Sequence, residues 1–238
     1  MARLPRIYHP EANAPGLLLL RGPSAHRLSR VLRLRPGNEL LVFAGDGNEW
    51  RAEVRAVSER AVEVEVIELT RTVPVTNVLE VRLALLRPQR FEWAVEKVTE
   101  AGADVIGGLL TERTEERFRL GPTRLERWQR IAVEAAEQCG RLSVPAVAEP
   151  VRFRDLLARA PHGLLLADPA GAPILSLRDR LSVFRRLTVL VGPEGGFSET
   201  ERAAAEAVGA LTASLGETVL RAETAAIVAT AFVRSMWA

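Results

Sequence analysis

The sequence predicts an α/β protein in which a small β-barrel with one helix precedes a larger domain built on a mainly parallel sheet. Three observations indicate this. Short strand patterns separated by turn residues fill residues 1–72, strand and helix patterns alternate over residues 73–238, and arginines outnumber acids only in the first of these segments. We therefore expect two domains, 1–72 and 73–238.

The composition is that of a folded protein without membrane-spanning segments or internal disulfides. Of the 238 residues, 47% are hydrophobic and 26% charged. No apolar run reaches about 18 residues, and the N-terminus MARLPRIYHP lacks the apolar segment of a signal peptide, so we expect a soluble cytoplasmic protein. A single cysteine, Cys139, excludes an internal disulfide, and three scattered histidines argue against a metal centre. We predict no metal site.

The first domain contains four strand candidates and one helix candidate. The strands are GLLLL, ELLVF, WRAEVRAV and AVEVEVIEL, the last with the alternation of a half-buried strand. AGDGNEW supplies the residues of a hairpin turn. SAHRLSRVLRLRPG predicts a short helix, with Ser24 as N-cap and an apolar face of Leu28, Val31 and Leu32, ended by Pro36.

Arginines are concentrated at the start of the chain, where Glu11 is the one acid within residues 1–38. Such an excess is expected of a nucleic-acid contact surface, although a GC-rich genome would also enrich arginine. Arg27 and Arg30 share a helical face suited to successive phosphates. His26 fits a phosphate contact and a solvated face equally. The residues predicted to bind RNA are Arg3, Arg6, Arg27, Arg30 and Arg33.

The second domain alternates strands with helices. The predicted strands are VTNVLEVRLALL, DVIGGLL, HGLLLADPAG with its turn, LTVLVG and LTASL. The predicted helices are FEWAVEKVTEAGA, residues 124–138, SETERAAAEAVG and ETAAIVATAFVRSMW. In the first helix Phe91, Val95 and Val98 are expected to point inward. This alternation is typical of a mainly parallel sheet.

A glycine-rich loop follows an apolar strand late in the chain, in LVGPEGGFSETE, residues 190–201. Ser198 and Glu201 fit a capping box, which predicts a helix directly after the loop. A Walker loop needs Lys and then Ser or Thr after the last glycine, and a dinucleotide fingerprint needs G-x-G-x-x-G; the sequence matches neither. Glu194 would repel phosphate but suits a cationic ligand or a ribose hydroxyl.

Two further segments favour a ligand crevice over a simple tight turn at this loop. LGETVLRAETA, residues 215–225, links the next strand to the final helix with Gly216 in the bend, and HGLLLADPAG, residues 162–171, ends another strand. Open α/β sheets bind their ligands in the crevice formed by such loops at the carboxyl ends of neighbouring strands.

The pair GPEGGFSETE and LGETVLRAETA resembles the C-terminal signature of the SPOUT methyltransferases, in particular the RsmE-type 16S ribosomal RNA (uracil-N3)-methyltransferases. Further blocks resemble that family in the same order, so the resemblance covers nearly the whole chain: LPRIYH, HRLSRVLRLRPGN, FEWAVEKVTEAGADVI and EAAEQCGRLSVP. Arg87 stands where the family commonly has lysine, which keeps the charge but not the hydrogen-bonding geometry.

The resemblance implies a PUA-like RNA-binding barrel at the N-terminus and a SPOUT domain with a deep trefoil knot. It also implies a homodimer, S-adenosyl-L-methionine (SAM) as cofactor, and 16S rRNA or the small ribosomal subunit as partner. The expected reaction is SAM-dependent methylation of N3 of a specific uridine. Patterning alone predicts no knot, because knots are nearly absent from proteins.

Site residues follow from the resemblance. Those predicted to line the SAM pocket are Leu190, Gly192, Glu194, Gly195, Gly196, Leu215, Gly216 and Leu220. Arg221 is expected to stabilise the uracil anion in a water-poor site, with a salt bridge to Glu217 or Glu223 as the alternative. Glu223 fits a helix cap equally well. Glu137 and Arg141 are expected to face substrate, with the helix dipole as the alternative for Arg141.

Two other functions fit the same motifs. A related SPOUT enzyme that methylates a ribose 2′-OH or another rRNA base would share the cofactor loops. A non-catalytic RNA-binding assembly factor would share the fold, but the glycine loops argue against it, because an idle loop has no need to exclude side chains. The sequence assigns no general base for N3.

Overall fold

The computed structural model describes residues 4–74, 76–114, 122–159 and 163–237. The chain forms two compact units. The first unit takes the chain up to residue 75 together with Ala136–Val144, and the second unit takes the remainder. The predicted domains, 1–72 and 73–238, put Ala136–Val144 in the second domain, whereas the structure groups this segment with the first unit. Arg3 and His162 lie outside the described residues.

The first unit contains a five-stranded sheet in the order β1-β3-β4-β5-β2. Its strands are β1 (Arg6–Tyr8), β2 (Gly16–Arg21), β3 (Glu39–Phe43), β4 (Asn48–Val57) and β5 (Ala61–Thr72). β1 pairs with β3 in parallel, and the other pairings are antiparallel. Val62, Val64 and Val66 of β5 lie in the core while the acids between them stay partly exposed, as the alternating sequence predicted.

The predicted helix after β2 begins earlier than expected. Helix α1 (Gly22–His26) has Arg21 at its N-cap, so the predicted Ser24 cap is wrong. Pro23 in the first turn, whose missing N–H costs a helix start nothing, is the signal that marks the beginning.

The same helix buries only part of its expected apolar face. α1 runs directly into a π-helix, Arg27–Val31. Leu28 is fully buried, but Val31 is 64% and Leu32 40% exposed. The π-helix bonds each N–H to the carbonyl five residues back, and this wider turn changes the spacing that the helical pattern assumed.

The second unit contains a six-stranded sheet in the order β11-β9-β10-β6-β7-β8, with all its pairings parallel. Its strands are β6 (Val78–Ala84), β7 (Val105–Leu110), β8 (Ala146–Arg152), β9 (Gly163–Pro173), β10 (Arg186–Val191) and β11 (Leu211–Ser214). The predicted mainly parallel sheet is confirmed. The sequence did not predict β8. This edge strand contains Pro150 and lacks a regular alternation of buried and exposed residues, so its sequence does not resemble a strand.

Helices cover both faces of this sheet. They are α2 (Pro88–Ala101), α3 (Pro122–Cys139), α4 (Phe153–Arg159), α5 (Arg178–Ser182), α6 (Glu199–Ala207) and α7 (Ala222–Trp237), and a 3-10 turn precedes α5. Phe91, Val95 and Val98 of α2 are buried with α7 against one face, as predicted. Phe153 of α4 and Ala205 of α6 pack on the other face. Two-sided burial explains why the strands are nearly continuous apolar runs.

Within the residues that the structure describes, no helix is both long and apolar enough to span a membrane.

Candidate functional site

A cavity of about 350 Å³ lies where β9, β10 and β11, three neighbouring strands, give way to loops. Three segments line it, as the sequence predicted: 167–170, 191–196 and residues from 214 to 225. The cavity therefore sits at the carboxyl edge of a parallel sheet, where such sheets bind ligands.

The first segment is a bulge within β9. Leu166 pairs with Thr212 of β11, and the next pairing joins Ala172 to Ala213, so the residues between them have no partner on β11. Gly171 makes this path possible, because a Cβ there would stand 2.5 Å from the β11 backbone. The bulge brings Asp168 into the cavity wall.

The second segment is the glycine loop. Gly196 has φ +67°, a left-handed conformation that glycine adopts without strain, and its N–H donates to the Pro193 carbonyl at 2.8 Å. The loop ends in the predicted capping box, which is confirmed: Ser198 accepts from the Glu201 N–H at 3.1 Å, and Glu201 accepts from the Ser198 N–H at 2.9 Å. The start of α6 thus fixes one end of the loop.

The carboxylates around the cavity differ in their partners. Asp168 is 5% exposed, accepts a hydrogen bond from the Ala170 N–H at 2.9 Å, and lies 3.5 Å from Arg202. Glu194 forms an ion pair with Arg90 of α2. A hydrogen bond from its own backbone N–H, and then Arg90, lower the pKa of Glu194, so it stays ionised at neutral pH.

This pairing changes the expected role of Glu194. The sequence suggested a loop carboxylate that faces a cationic ligand, but in the structure Glu194 pairs with Arg90, which it shares with Glu223. Asp168, a buried acid in the cavity wall that lies 3.5 Å from Arg202, is a second candidate acceptor for a ligand hydroxyl or ammonium group.

Six of the eight predicted cofactor residues line the cavity. They are Gly192, Glu194, Gly195, Gly196, Leu215 and Leu220. Leu190 does not, because it is fully buried in the core beneath α4 and α6. Gly216 is not among the lining residues. Its φ of +150° allows the backbone to bend between the lining residues Leu215 and Thr218.

Arg221 lies immediately before α7 and is exposed, between the cavity-lining residues Leu220 and Ala222. Glu223, in the first turn of α7, pairs with Arg90 at 2.6 Å instead. Among the described residues no ion pair joins Arg221 to Glu217 or Glu223, so the alternative of a salt bridge is not observed.

Glu137 belongs to the first unit, where it is 7% exposed. One of its carboxylate oxygens accepts from the Tyr8 N–H at 2.8 Å, and the other pairs with Arg27. This burial does not fit the predicted role of an open catalytic carboxylate, because both oxygens hold the end of α3. In the same unit Arg141 donates to the Ser143 hydroxyl at 2.9 Å.

Arg6 is the clearest correction among the predicted RNA contacts. It is 5% exposed and binds Glu49 at 2.7 Å. It also donates to the carbonyls of Ala136, Glu137 and Arg141 at 3.0 to 3.3 Å. Since its guanidinium is buried and already hydrogen-bonded, the prediction that it meets RNA phosphate does not hold.

The other predicted RNA contacts differ in exposure. Arg27 is partly occupied by Glu137, whereas Arg30 and Arg33 are exposed. Arg33 has φ +55°, a left-handed conformation set by the helix end, where the Leu34 N–H bonds back to the Leu28 carbonyl at 2.9 Å.

Sequence reasoning missed three residues around the cavity. Arg90 bridges the glycine loop and α7, Arg113 donates to the Gly195 carbonyl, and Arg202 borders Asp168. Arg90 could not be found from the sequence, because its partner Glu194 lies more than 100 residues away and no local pattern links the two. Within the described residues no group of acids, histidines and cysteines could hold a metal ion.

Comparisons with known proteins agree with this geometry. A family model described as an RNA methyltransferase domain matches residues 74–234, and one described as an RNA methyltransferase PUA domain matches residues 20–67. The chain belongs to the ribosomal RNA small subunit methyltransferase E family, the RsmE-type enzymes of the SPOUT superfamily.

Particular relatives cover most of the chain. The ribosomal RNA small subunit methyltransferase E of Synechocystis sp. is 34% identical over 97% of this chain and 77% of its own length. The enzyme of that name from Bacillus subtilis is 30% identical, over 87% of this chain and 86% of its own length. A solved structure of a ribosomal RNA small subunit methyltransferase E from Neisseria gonorrhoeae, bound to S-adenosyl methionine, is also similar. Its TM-score is 0.88 at 28% sequence identity, and the match covers 99% of this chain and 98% of that one.

Proposed function

We propose that this protein binds SAM in the cavity after β9, β10 and β11 and methylates N3 of a specific uridine in 16S rRNA. The cavity itself carries this proposal: glycine backbone and one buried carboxylate shape it, without the lysine that a phosphate site needs. The names of its relatives, which act on small-subunit ribosomal RNA, and the SAM-bound Neisseria structure support the same cofactor and substrate.

The lining suits a nucleoside ligand. The glycines at 192, 195 and 196 let the ligand approach the backbone, and the apolar side chains of Leu215 and Leu220 can cover its base. Asp168 can accept a hydrogen bond from a ribose hydroxyl or an ammonium group. When bound, SAM supplies an activated methyl group on a sulfonium.

The reacting uracil needs help that this chain must provide. N3 carries a proton at neutral pH, so methylation requires its removal and alignment of N3 with the methyl group. Arg221 is exposed beside the cavity rather than in the expected water-poor site, so in this proposal it stabilises the developing negative charge on the base once bound RNA excludes water. Arg221→Ala is expected to retain SAM affinity and lose turnover. Retained turnover in that variant would remove Arg221 from the mechanism.

In this proposal residues 1–72 are the RNA-binding domain and residues 73–238 are the methyltransferase domain. Exposed arginines support it: Arg21, Arg30, Arg33 and Arg35. In this proposal the protein is a homodimer with a trefoil-knotted second domain, as the family resemblance implies, and it acts in the cytoplasm, as the composition of the sequence favours. Light scattering of the purified protein tests the dimer.

The first experiment is calorimetric titration with SAM, followed by methyl transfer from labelled SAM to naked 16S rRNA or to assembled small subunits. We expect binding and incorporation into at least one substrate. Binding without incorporation into either substrate would contradict the proposed reaction, and no binding would overturn the cofactor assignment and favour a non-catalytic RNA-binding factor.

A further inference from the structure

Arg90 contacts two carboxylates from different parts of the second unit. Its Nε and Nη2 donate to the two oxygens of Glu223, at 3.1 and 2.6 Å, and its Nη1 donates to Glu194. Arg90 lies in the first turn of α2, Glu223 in the first turn of α7, and Glu194 in the glycine loop. One guanidinium therefore joins two helices and the loop that lines the cavity.

The two carboxylates depend on Arg90 to different degrees. The Glu223 side chain is 9% exposed, and a buried carboxylate without a partner is strongly unfavourable. The Glu194 side chain is 58% exposed and could remain solvated alone. The link to Glu223 therefore serves stability, whereas the link to Glu194 restrains the loop.

The loop needs such a restraint, because glycine loses more conformational freedom on ordering than any other residue. Three of the seven residues between β10 and α6 are glycines, at positions 192, 195 and 196. Two arginines hold its middle from outside: Arg90 binds the side chain of Glu194, and Arg113 donates to the carbonyl of Gly195. A loop ordered before the ligand arrives costs less affinity on binding.

We propose that Arg90 is a positioning residue that fixes the glycine loop through Glu194 and so preshapes the cavity for its ligand. This inference rests on the proposed function, which supplies SAM as the ligand. Three nitrogens of the guanidinium are in use, and a lysine ammonium is a point charge that cannot reproduce this fork. Arg90→Lys is therefore expected to keep one carboxylate partner, Glu223, and release the loop.

The test measures SAM affinity by calorimetry for the wild type, Arg90→Lys, Glu194→Gln and the double variant. We expect each single variant to raise Kd about threefold to tenfold, and the double variant to be no weaker than the singles. The thermal midpoint of Glu194→Gln should fall only slightly, because this carboxylate is 58% exposed. A clear loss of affinity with a small loss of stability separates loop positioning from a role in stability. Arg51→Lys is a matched control, because Arg51 bridges Glu39 and Glu68 in the first unit at 2.5 and 2.9 Å.

Hydrogen exchange of the loop amides in the ligand-free protein provides a second readout. We expect faster exchange at residues 194–196 in Arg90→Lys and Glu194→Gln but not in Arg51→Lys. Wild-type Kd values with unchanged exchange would overturn the inference. If the wild type fails to bind SAM, the proposed function falls, while exchange still decides whether Arg90 positions the loop.

Discussion

Arg6 and Glu49 form a buried ion pair at 2.7 Å, with side chains only 4% and 9% exposed. The same guanidinium binds three carbonyls of the segment Ala136–Val144. An arginine that looked like part of an RNA surface thus holds a distant stretch of the chain to the first unit.

Arg6→Ala should therefore destabilise the first unit strongly. It would leave the buried Glu49 carboxylate with Arg71, 3.8 Å away, as its remaining ion-pair partner, and it would remove the donor from three carbonyls, so the expected cost is about 3 kcal/mol. Urea unfolding measures the loss. Arg30→Ala, at an exposed position, should change stability by less than about 0.5 kcal/mol. Equal effects of the two variants would contradict the structural role of Arg6.

Arg33→Gly should stabilise the protein while it weakens RNA binding. Glycine relieves the left-handed conformation of Arg33, worth about 1 kcal/mol, and the lost phosphate contact lowers the log–log salt slope of RNA binding by about 1. Arg35→Gly is the matched control, since Arg35 is exposed and has no positive φ; it should not stabilise. An unchanged salt slope in Arg33→Gly would remove Arg33 from the RNA surface.

Ser198→Ala should destabilise α6 by about 1 kcal/mol, because the Glu201 N–H loses its acceptor. For a chain of this length that corresponds to a thermal midpoint roughly 2–4 °C lower. Ser182→Ala, where the hydroxyl bonds only the Asp179 carbonyl at the surface, should leave the midpoint in place. Equal shifts would mean that the capping box adds nothing.

The pH dependence of Glu194 follows from its lowered pKa. A carboxyl whose pKa in the folded state lies below its ordinary value of 4.5 stabilises the protein above that value. This contribution is lost as pH falls through the folded pKa. The difference in unfolding free energy between wild type and Glu194→Gln should therefore be constant between about pH 8 and pH 5 and shrink only at lower pH. A difference that vanishes near neutral pH would show that neither the backbone hydrogen bond of Glu194 nor its pair with Arg90 persists in solution.

The sequence predicted those parts of the fold and the site that depend on local pattern. Alternation in β5, helical spacing in α2, and the Ser198–Glu201 capping box each appear in the structure as expected. The cavity-lining loops were found because glycines and strand ends mark them in the chain.

What the sequence did not predict depends on tertiary pairing. Whether an arginine is buried or exposed is decided by partners far along the chain: Arg6 meets Glu49 and residues 136–141, and Arg90 meets Glu194 and Glu223. No local periodicity carries that information. The trefoil knot, likewise, rests on the family resemblance and stays a prediction.

The central claim is most directly tested by locating the transferred methyl group. Small subunits or 16S rRNA would be methylated with labelled SAM, digested to nucleosides and separated by chromatography with mass detection. Label is expected in 3-methyluridine and in no other nucleoside. Label on a ribose 2′-OH or on another base would contradict the central claim.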